Sequence, residues 1–220
     1  MVRIARVIAA GIPHHVTQRG NRRMTTFFRD EDYSAYINLM AEWCRKCCVK
    51  VWAYCLMPNH VHLIAIPETD DGLRLAIGEA HRRYSRMINF RENWRGHLWQ
   101  GRFASFPMDE KYLLAAARYV EMNPVRANLV PDAASWPWSS ARAHLAGEDD
   151  QLVKVAPLLE IAGEWHLFLA SVTEEEQMND IRKHEQTGRP LGPANFIERL
   201  ESALDRTLKR GKPGPKGKHN

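Results

Sequence analysis

Through the first half of the chain the apolar positions switch between a period of two and a period of three to four. Val7–Gln18 alternates as an extended segment, with His15, Thr17 and Arg19 on one side and Val16 and Gln18 on the other. Gly20-Asn21 supplies a turn, and Asp30 can cap a helix whose apolar positions are Tyr33, Tyr36, Ile37, Met40, Cys44 and Cys47. Val51–Met57 and His60–Ile66 are β-type runs joined at Pro58-Asn59, a hairpin signal. Gly72–Asn89 reads as a helix with Leu73, Ile77, Ala80, Tyr84 and Ile88 on its apolar stripe and Arg74, His81, Arg82 and Arg86 on its other face. Trp99–Pro107 has strand character. Asp109–Asn123 is a helix with an Asp cap, ended by Pro124, which disfavours α conformation in the residue before it.

Strand, helix, hairpin, helix, strand, helix is an α+β order, most simply an antiparallel sheet with helices on one face. After Pro131 the pattern is less regular, through Trp136-Pro137-Trp138, until a short amphipathic helix over 195–208 and a Gly/Pro/Lys tail at 209–220 that is expected to stay disordered alone. The expected division is a body over 1–147, an extension over 148–208 and the tail over 209–220.

Charge sharpens that division. The net charge of +5 conceals a body of +7 over 1–147, an acidic stretch of −8 over 148–205 and a segment of +6 over 206–220. In the body the basic residues are arginines except for Lys46, Lys50 and Lys111. Arginine's planar fork suits phosphate oxygens better than a lysine point charge does, so the body reads as a surface for a polyanion. No apolar run reaches eighteen residues and the start lacks a leader pattern, so neither a membrane span nor a signal peptide is expected. Cys44, Cys47, Cys48 and Cys55 crowd into one short segment and read as reduced thiols of a cytoplasmic protein. Cys44 and Cys47 lack a second pair and face the core of their helix, which argues against a zinc site.

Two motifs carry candidate chemistry. In Asn59-His60-Val61-His62-Leu63 the histidines are two apart on a strand, so both imidazoles project from one face and can bind one metal ion. Ile64 and Ile66 share that face, which makes two unpaired imidazoles there costly unless something binds them. On the Asp109–Asn123 helix, Tyr119 and Asn123 stack four residues apart. Two readings of Tyr119 stand side by side: a core aromatic beside Tyr112 and Ala116, or a nucleophile toward a phosphodiester when a metal polarises the phosphate.

Leu56-Met57-Pro58-Asn59-His60-Val61-His62-Leu63 together with Tyr119-Val120-Glu121-Met122-Asn123-Pro124-Val125-Arg126-Ala127 resembles the single-tyrosine HUH transposases, and more narrowly the REP-associated tyrosine transposases. His15-Val16-Thr17-Gln18-Arg19-Gly20-Asn21, Leu98-Trp99-Gln100-Gly101-Arg102-Phe103 and Trp136-Pro137-Trp138-Ser139-Ser140 add to the match, which spans about residues 8–145 with an echo at Thr187–Gly192. The resemblance implies a ferredoxin-like fold. It also implies a divalent metal held by His60 and His62, with Asn123 completing the set. That mixture of imidazole and amide oxygen suits Mg2+ or Mn2+. Tyr119 is then the nucleophile, forming a 5′-phosphotyrosine link and releasing a 3′-OH, with single-stranded and hairpin, REP-like DNA as partner and a monomer or homodimer as the assembly.

Candidate DNA contacts are Arg74, Arg82 and Arg86 on the helix face, His15, Thr17, Arg19, Asn21 and Arg22 near the first turn, Arg95, His97 and Arg102 among Trp94, Trp99 and Phe103, and Arg126. Trp99 and Phe103 themselves alternate inward and read as core. Two other functions compete with strand transfer: a DNA-binding descendant without catalysis, and a metal-dependent phosphodiesterase in which water is the nucleophile. The acidic stretch has no role in any of them on sequence alone.

Overall fold

A computed structural model describes residues 4–171 and 175–209. The tail expected at 209–220 lies, except for Lys209, outside the described residues. The elements run β1 (His14–Arg19), α1 (Asp30–Lys46), β2 (Val49–Met57), β3 (His60–Pro67), α2 (Gly72–Arg91), β4 (Ala104–Pro107), α3 (Glu110–Glu121) and α4 (Asn123–Arg126). Beyond them come α5 (Ala141–Ala146), α6 (Ala156–Ala162), α7 (Trp165–Ala170), α8 (Glu175–Thr187) and α9 (Ala194–Leu204). The sheet order is β2-β3-β1-β4 with every neighbouring pair antiparallel. With its two helical crossovers, this is the expected ferredoxin-like arrangement.

Two strands are shorter than their patterns suggest. The alternation from Val7 is broken by Gly11 in a left-handed turn (φ 73°) and by Pro13, which has no amide to give a ladder, so β1 starts at His14. Gly101 (φ 68°) interrupts the segment from Trp99, which retains a single bridge to Gly20. Gly20 itself is demanded by the turn, because a Cβ there would lie 2.2 Å from the Met24 carbonyl oxygen. Helix α3 starts at an Asp109 cap that accepts from the Lys111 amide at 3.1 Å. It gives way to α4 at Met122–Asn123, where Pro124 has no amide for the Val120 carbonyl.

Helices α1 and α2 pack together on one face of the sheet, as the order predicts, over Val16, Val51, Tyr54, Leu56, Val61 and Leu63. The opposite face is covered too, which adds a helical layer to the expected one. Ala53, Cys55, Met57, Ile64 and Ile66, with Phe106 and Met108, pack against Leu113, Ala116 and Val120 of α3. The reason is in β2 and β3, whose central residues are buried on both sides and need apolar cover on both. The extension supplies part of that cover through Leu158, Trp165 and Ile181, while α9 packs Phe196 and Leu200 on Val7 and Ala9.

Burial also corrects the polar face assigned to α2. His81 turns inward, hydrogen-bonded to the Tyr36 hydroxyl at 2.8 Å and stacked on Trp99. His14, at the start of β1, accepts the Ala9 amide on Nε2 and donates from Nδ1 to the Ile12 carbonyl, a pattern that only a neutral imidazole can make. Burial holds His14 down to about 4, against a raising contribution from the Ile12 carbonyl, and burial holds His81 down to about 3. The unfolded chain takes up protons at these sites below about pH 6.5 while the folded chain does not. Stability is therefore fully present above that pH and is lost as pH falls toward 4, by about 1.4 kcal/mol per pH unit for each histidine. Burial holds three further imidazoles, His15, His60 and His62, low as well. Urea unfolding between pH 7 and 4 is therefore expected to fall more steeply than these two rings alone require, and His81→Phe to remove only its own share, about 1.4 kcal/mol per pH unit; an unchanged slope in His81→Phe would contradict the burial of that ring.

Candidate nucleic-acid and metal site

The register of β1 on β3 pairs His15 with Ile64, Thr17 with His62 and Arg19 with His60. Partners across an antiparallel ladder share a face, so His15, Thr17, Arg19, His60 and His62 all project toward the α3 side. His60 and His62 lie with ring centroids 5.1 Å apart. The Asn59 carboxamide oxygen sits 2.6 Å from His60 Nδ1 and accepts its proton, which leaves Nε2 as the free nitrogen. His62 is buried, its Nδ1 3.0 Å from His15 Nε2 and its ring stacked on that of His15 at 5.2 Å.

Tyr119 stands edge-on to both, with centroids 5.8 Å from His62 and 6.0 Å from His15. Its ring is buried as the core reading expects, yet it faces the histidines as the nucleophile reading requires. Burial raises its hydroxyl above the ordinary phenol value and the charge of Glu185 adds to this; Arg126, whose guanidinium carbon is 4.2 Å above the ring, and Arg182, which donates a hydrogen bond to it, act in the other direction. Burial lowers all three imidazoles: His60 to about 4 with help from Arg19, His15 to about 3 with help from Arg126, and His62 well below its usual value. At neutral pH all three present uncharged nitrogen, the form that ligates metal.

His60 and His62 open into a cleft of about 540 Å³. Arg19, Arg23, Arg102 and Arg182 surround it, with Glu185 as its one carboxylate among the lining residues. Arg182 and Glu185 come from α8, in the acidic extension, which packs on α3 and β4. Glu185 Oε1 lies 3.5 Å from His62 Nδ1 and 3.6 Å from His15 Nδ1. Burial pushes this carboxyl up to about 7, against Arg19, Arg126 and Arg182. Neutral imidazole nitrogens beside a carboxylate oxygen are a donor set that fits a divalent cation; the ligand atoms of His15, His62 and Glu185 all lie within 4.8 Å of one another.

Of the expected DNA contacts, Thr17, Arg19 and Arg102 line the cleft. Asn21 and Arg22 lie in the turn at its edge, where the unforeseen Arg23 points in. His15 is corrected: it is wholly buried under His62 and has no surface with which to touch DNA. Arg74, Arg82 and Arg86 sit on α2, across the sheet from the histidines. Arg74 is paired with Asp71 and Arg82 with Glu79. Arg95 and His97 are exposed on the loop between α2 and β4, outside the cleft lining, and Arg126 covers Tyr119. Asn123 does not line the cleft either; its Nδ2 is buried without a hydrogen-bond partner. Sequence reasoning missed Arg182 and Glu185, and the one signal near them was the Thr187–Gly192 echo that directly follows α8.

A family model described as IS200-like transposase matches residues 10–123. Among solved structures, the REP-associated tyrosine transposase bound to a REP hairpin is similar, at 22% identity and a TM-score of 0.58, over 69% of this chain and 90% of that one. A candidate transposase from Deinococcus radiodurans R1 is 16% identical with a TM-score of 0.39, over 58% of this chain and 98% of that one. No curated protein matches the chain.

Arg126 acts on Tyr119 as a fixed positive charge over the ring. Arg126→Ala is expected to raise the Tyr119 ionisation midpoint, followed through the Cζ resonance of 13C-labelled tyrosine; an unchanged or lower midpoint would remove that role.

Proposed function

The chain belongs to the IS200-like transposase family, and on that premise we propose that it cuts and rejoins single-stranded or hairpin, REP-like DNA with Tyr119 as nucleophile. The observation that carries this reading is Tyr119 standing edge-on to His62, with ring centroids 5.8 Å apart, where His62 itself lines a cleft ringed by arginines. The arginines grip backbone phosphates and set the scissile one against the tyrosine. Tyr119 Oη attacks phosphorus, the phenol proton passes to solvent, the P–O3′ bond breaks in line, and the departing O3′ takes a proton from solvent, leaving a 3′-OH and a 5′-phosphotyrosine. Because the new linkage is also a phosphodiester, the same step in reverse rejoins a strand without an external energy source. His60, His62 and Asn123 would hold a divalent cation, Mg2+ or Mn2+, which would supply Lewis-acid chemistry toward the phosphate.

Body residues 1–147 carry the histidines and the tyrosine on one chain, so a monomer holds a whole site and a homodimer is not required for it. The setting is the cytoplasm. A second reading, hairpin binding without cleavage, is favoured by one observation: the Tyr119 side chain is largely buried and the ionisation of its hydroxyl pushed up.

Incubating the protein with Mn2+ and a labelled single-stranded hairpin, then running denaturing gels, is expected to give a protein–DNA band that Tyr119→Phe abolishes. Cleavage that survives Tyr119→Phe without an adduct would move the nucleophile to water; binding without cleavage would leave the second reading. Arg102→Ala is expected to weaken hairpin binding and lower the slope of log affinity against log salt by about one, as loss of a phosphate contact does. Arg82→Ala, on the far face and already paired with Glu79, is expected to change neither.

A further inference from the structure

We propose that Phe28 and Trp94 form a stacking platform for the unpaired bases of a DNA strand leaving the cleft, a second contact region away from the histidines. It rests on the proposed function only for the class of partner, single-stranded DNA beside a hairpin.

Phe28 lies in the loop before α1 and Trp94 in the loop after α2. Each is 41% exposed, and their rings meet edge to face with centroids 5.5 Å apart. Neither ring is part of an apolar core, and polar groups hold both in place. Asp32, almost wholly buried, accepts the Phe28 amide at 2.8 Å. Arg91 grips the same carboxylate through both Nη atoms, with its guanidinium carbon 5.9 Å from the centre of the Phe28 ring. In the other loop the Trp94 amide donates to the Asn89 carbonyl at 2.8 Å, and the Asn89 carboxamide donates to the Gly96 carbonyl at 2.9 Å, which closes the turn. Rings mounted in this way lose little freedom when a base stacks on them. Met24, 52% exposed, and Phe90, 90% exposed, belong to the same two segments.

The surroundings suit a polyanion better than an apolar partner. From Arg19 to Arg29 the chain has four arginines and no carboxylate, and Arg95 follows Trp94 in an exposed loop. The carboxylates of Asp32 and Glu92 are both taken by Arg91. The two loops also lead out of the cleft together. Gly20 bridges Trp99, the Asn21 amide donates to the Leu98 carbonyl at 2.8 Å, and Arg23, Gln100 and Arg102 line the cleft itself. The chain from Arg23 to Phe28 spans at most about 18 Å, so a strand gripped in the cleft reaches the rings within a few nucleotides. Aromatic faces among arginines take unpaired bases with little regard to sequence, whereas the bases of a duplex are already stacked on one another.

Fluorescence anisotropy of the full chain with a labelled hairpin, blunt or carrying single-stranded flanks, tests this, in EDTA so that no strand is cut. Trp94→Ala and Phe28→Ala are each expected to weaken binding of the flanked hairpin by about tenfold, as loss of a base-stacking ring does. Binding of the blunt hairpin is expected to stay within about twofold, and the slope of log affinity against log salt to stay unchanged, because no phosphate contact is lost. Trp94→Phe is expected to restore most of the affinity. Circular dichroism checks that each variant is folded, and Trp94→Ala, in an exposed loop, stands as the test if Phe28→Ala fails to fold. Native-like affinity of Trp94→Ala for the flanked hairpin, or an equal loss on the blunt one, would overturn the platform. So would native-like DNA binding with reduced self-association in sedimentation, which would give this surface to a second copy of the chain. Any of these results alongside an intact Tyr119 adduct leaves the proposed function standing; no hairpin binding by the native chain, with or without Mn2+, would overturn both.

Discussion

The antiparallel register between β1 and β3 is the constraint on which the site depends. It opposes Thr17 to His62 and so sends His15, Arg19, His60 and His62 to one face of a sheet whose neighbouring residues on that face, Ile64 and Ile66, are buried. A slip of one residue would turn every one of these side chains to the other face, into the packing of α1 and α2. The polar group survives in this position because its members satisfy one another: His15 against His62, Asn59 against His60, and Arg126 over Tyr119.

The position of Tyr119 depends on a second buried polar device. Two residues along α3, Glu121 is wholly buried, with its carboxylate taking bonds from Ser140, from His144 Nδ1 at 2.7 Å and from Trp165 Nε1 at 2.8 Å. These donors come from the segment entering α5, from α5 and from α7, so the end of α3 is fixed from the side opposite the cleft. A buried carboxylate supplied with several donors is tolerated only while all of them are present, and such a network holds one geometry firmly. The Trp136–Ser140 segment, irregular as a sequence, is ordered by the same economy: the Trp136 indole donates to the Leu56 carbonyl and Ser140 closes on Tyr54.

Charge distribution takes on meaning only in three dimensions. The body's arginines divide between two faces of one sheet. Arg19 and Arg102 join Arg23 and Arg182 around the cleft, whereas Arg74 and Arg82 are paired on α2 with acidic neighbours from their own region. The acidic extension is likewise not uniform in what it brings, since α8 places one cation and one carboxylate beside the histidines. Net charge by segment therefore does not describe the composition of the site.

Much was legible in the chain. The α+β order of elements, the shared face of His60 and His62, the inward Trp99 and Phe103, and the alignment of Tyr119 on a capped helix follow from periodicities of two and 3.6, which are local properties; the ferredoxin-like arrangement followed from the family resemblance. Pro124 marked the region where α3 ends but not the boundary itself, because α3 stops at Glu121 and Asn123 already belongs to the next helical turn, α4. Tertiary structure alone decided the rest. Whether His15 faces solvent or lies beneath His62 depends on what covers the strand, and alternation cannot say that. Which helix face is polar in fact, as with His81, depends on the neighbour it meets. That Glu185 reaches histidines more than a hundred residues earlier in the chain depends on how α8 packs, and no local pattern encodes a contact of that separation.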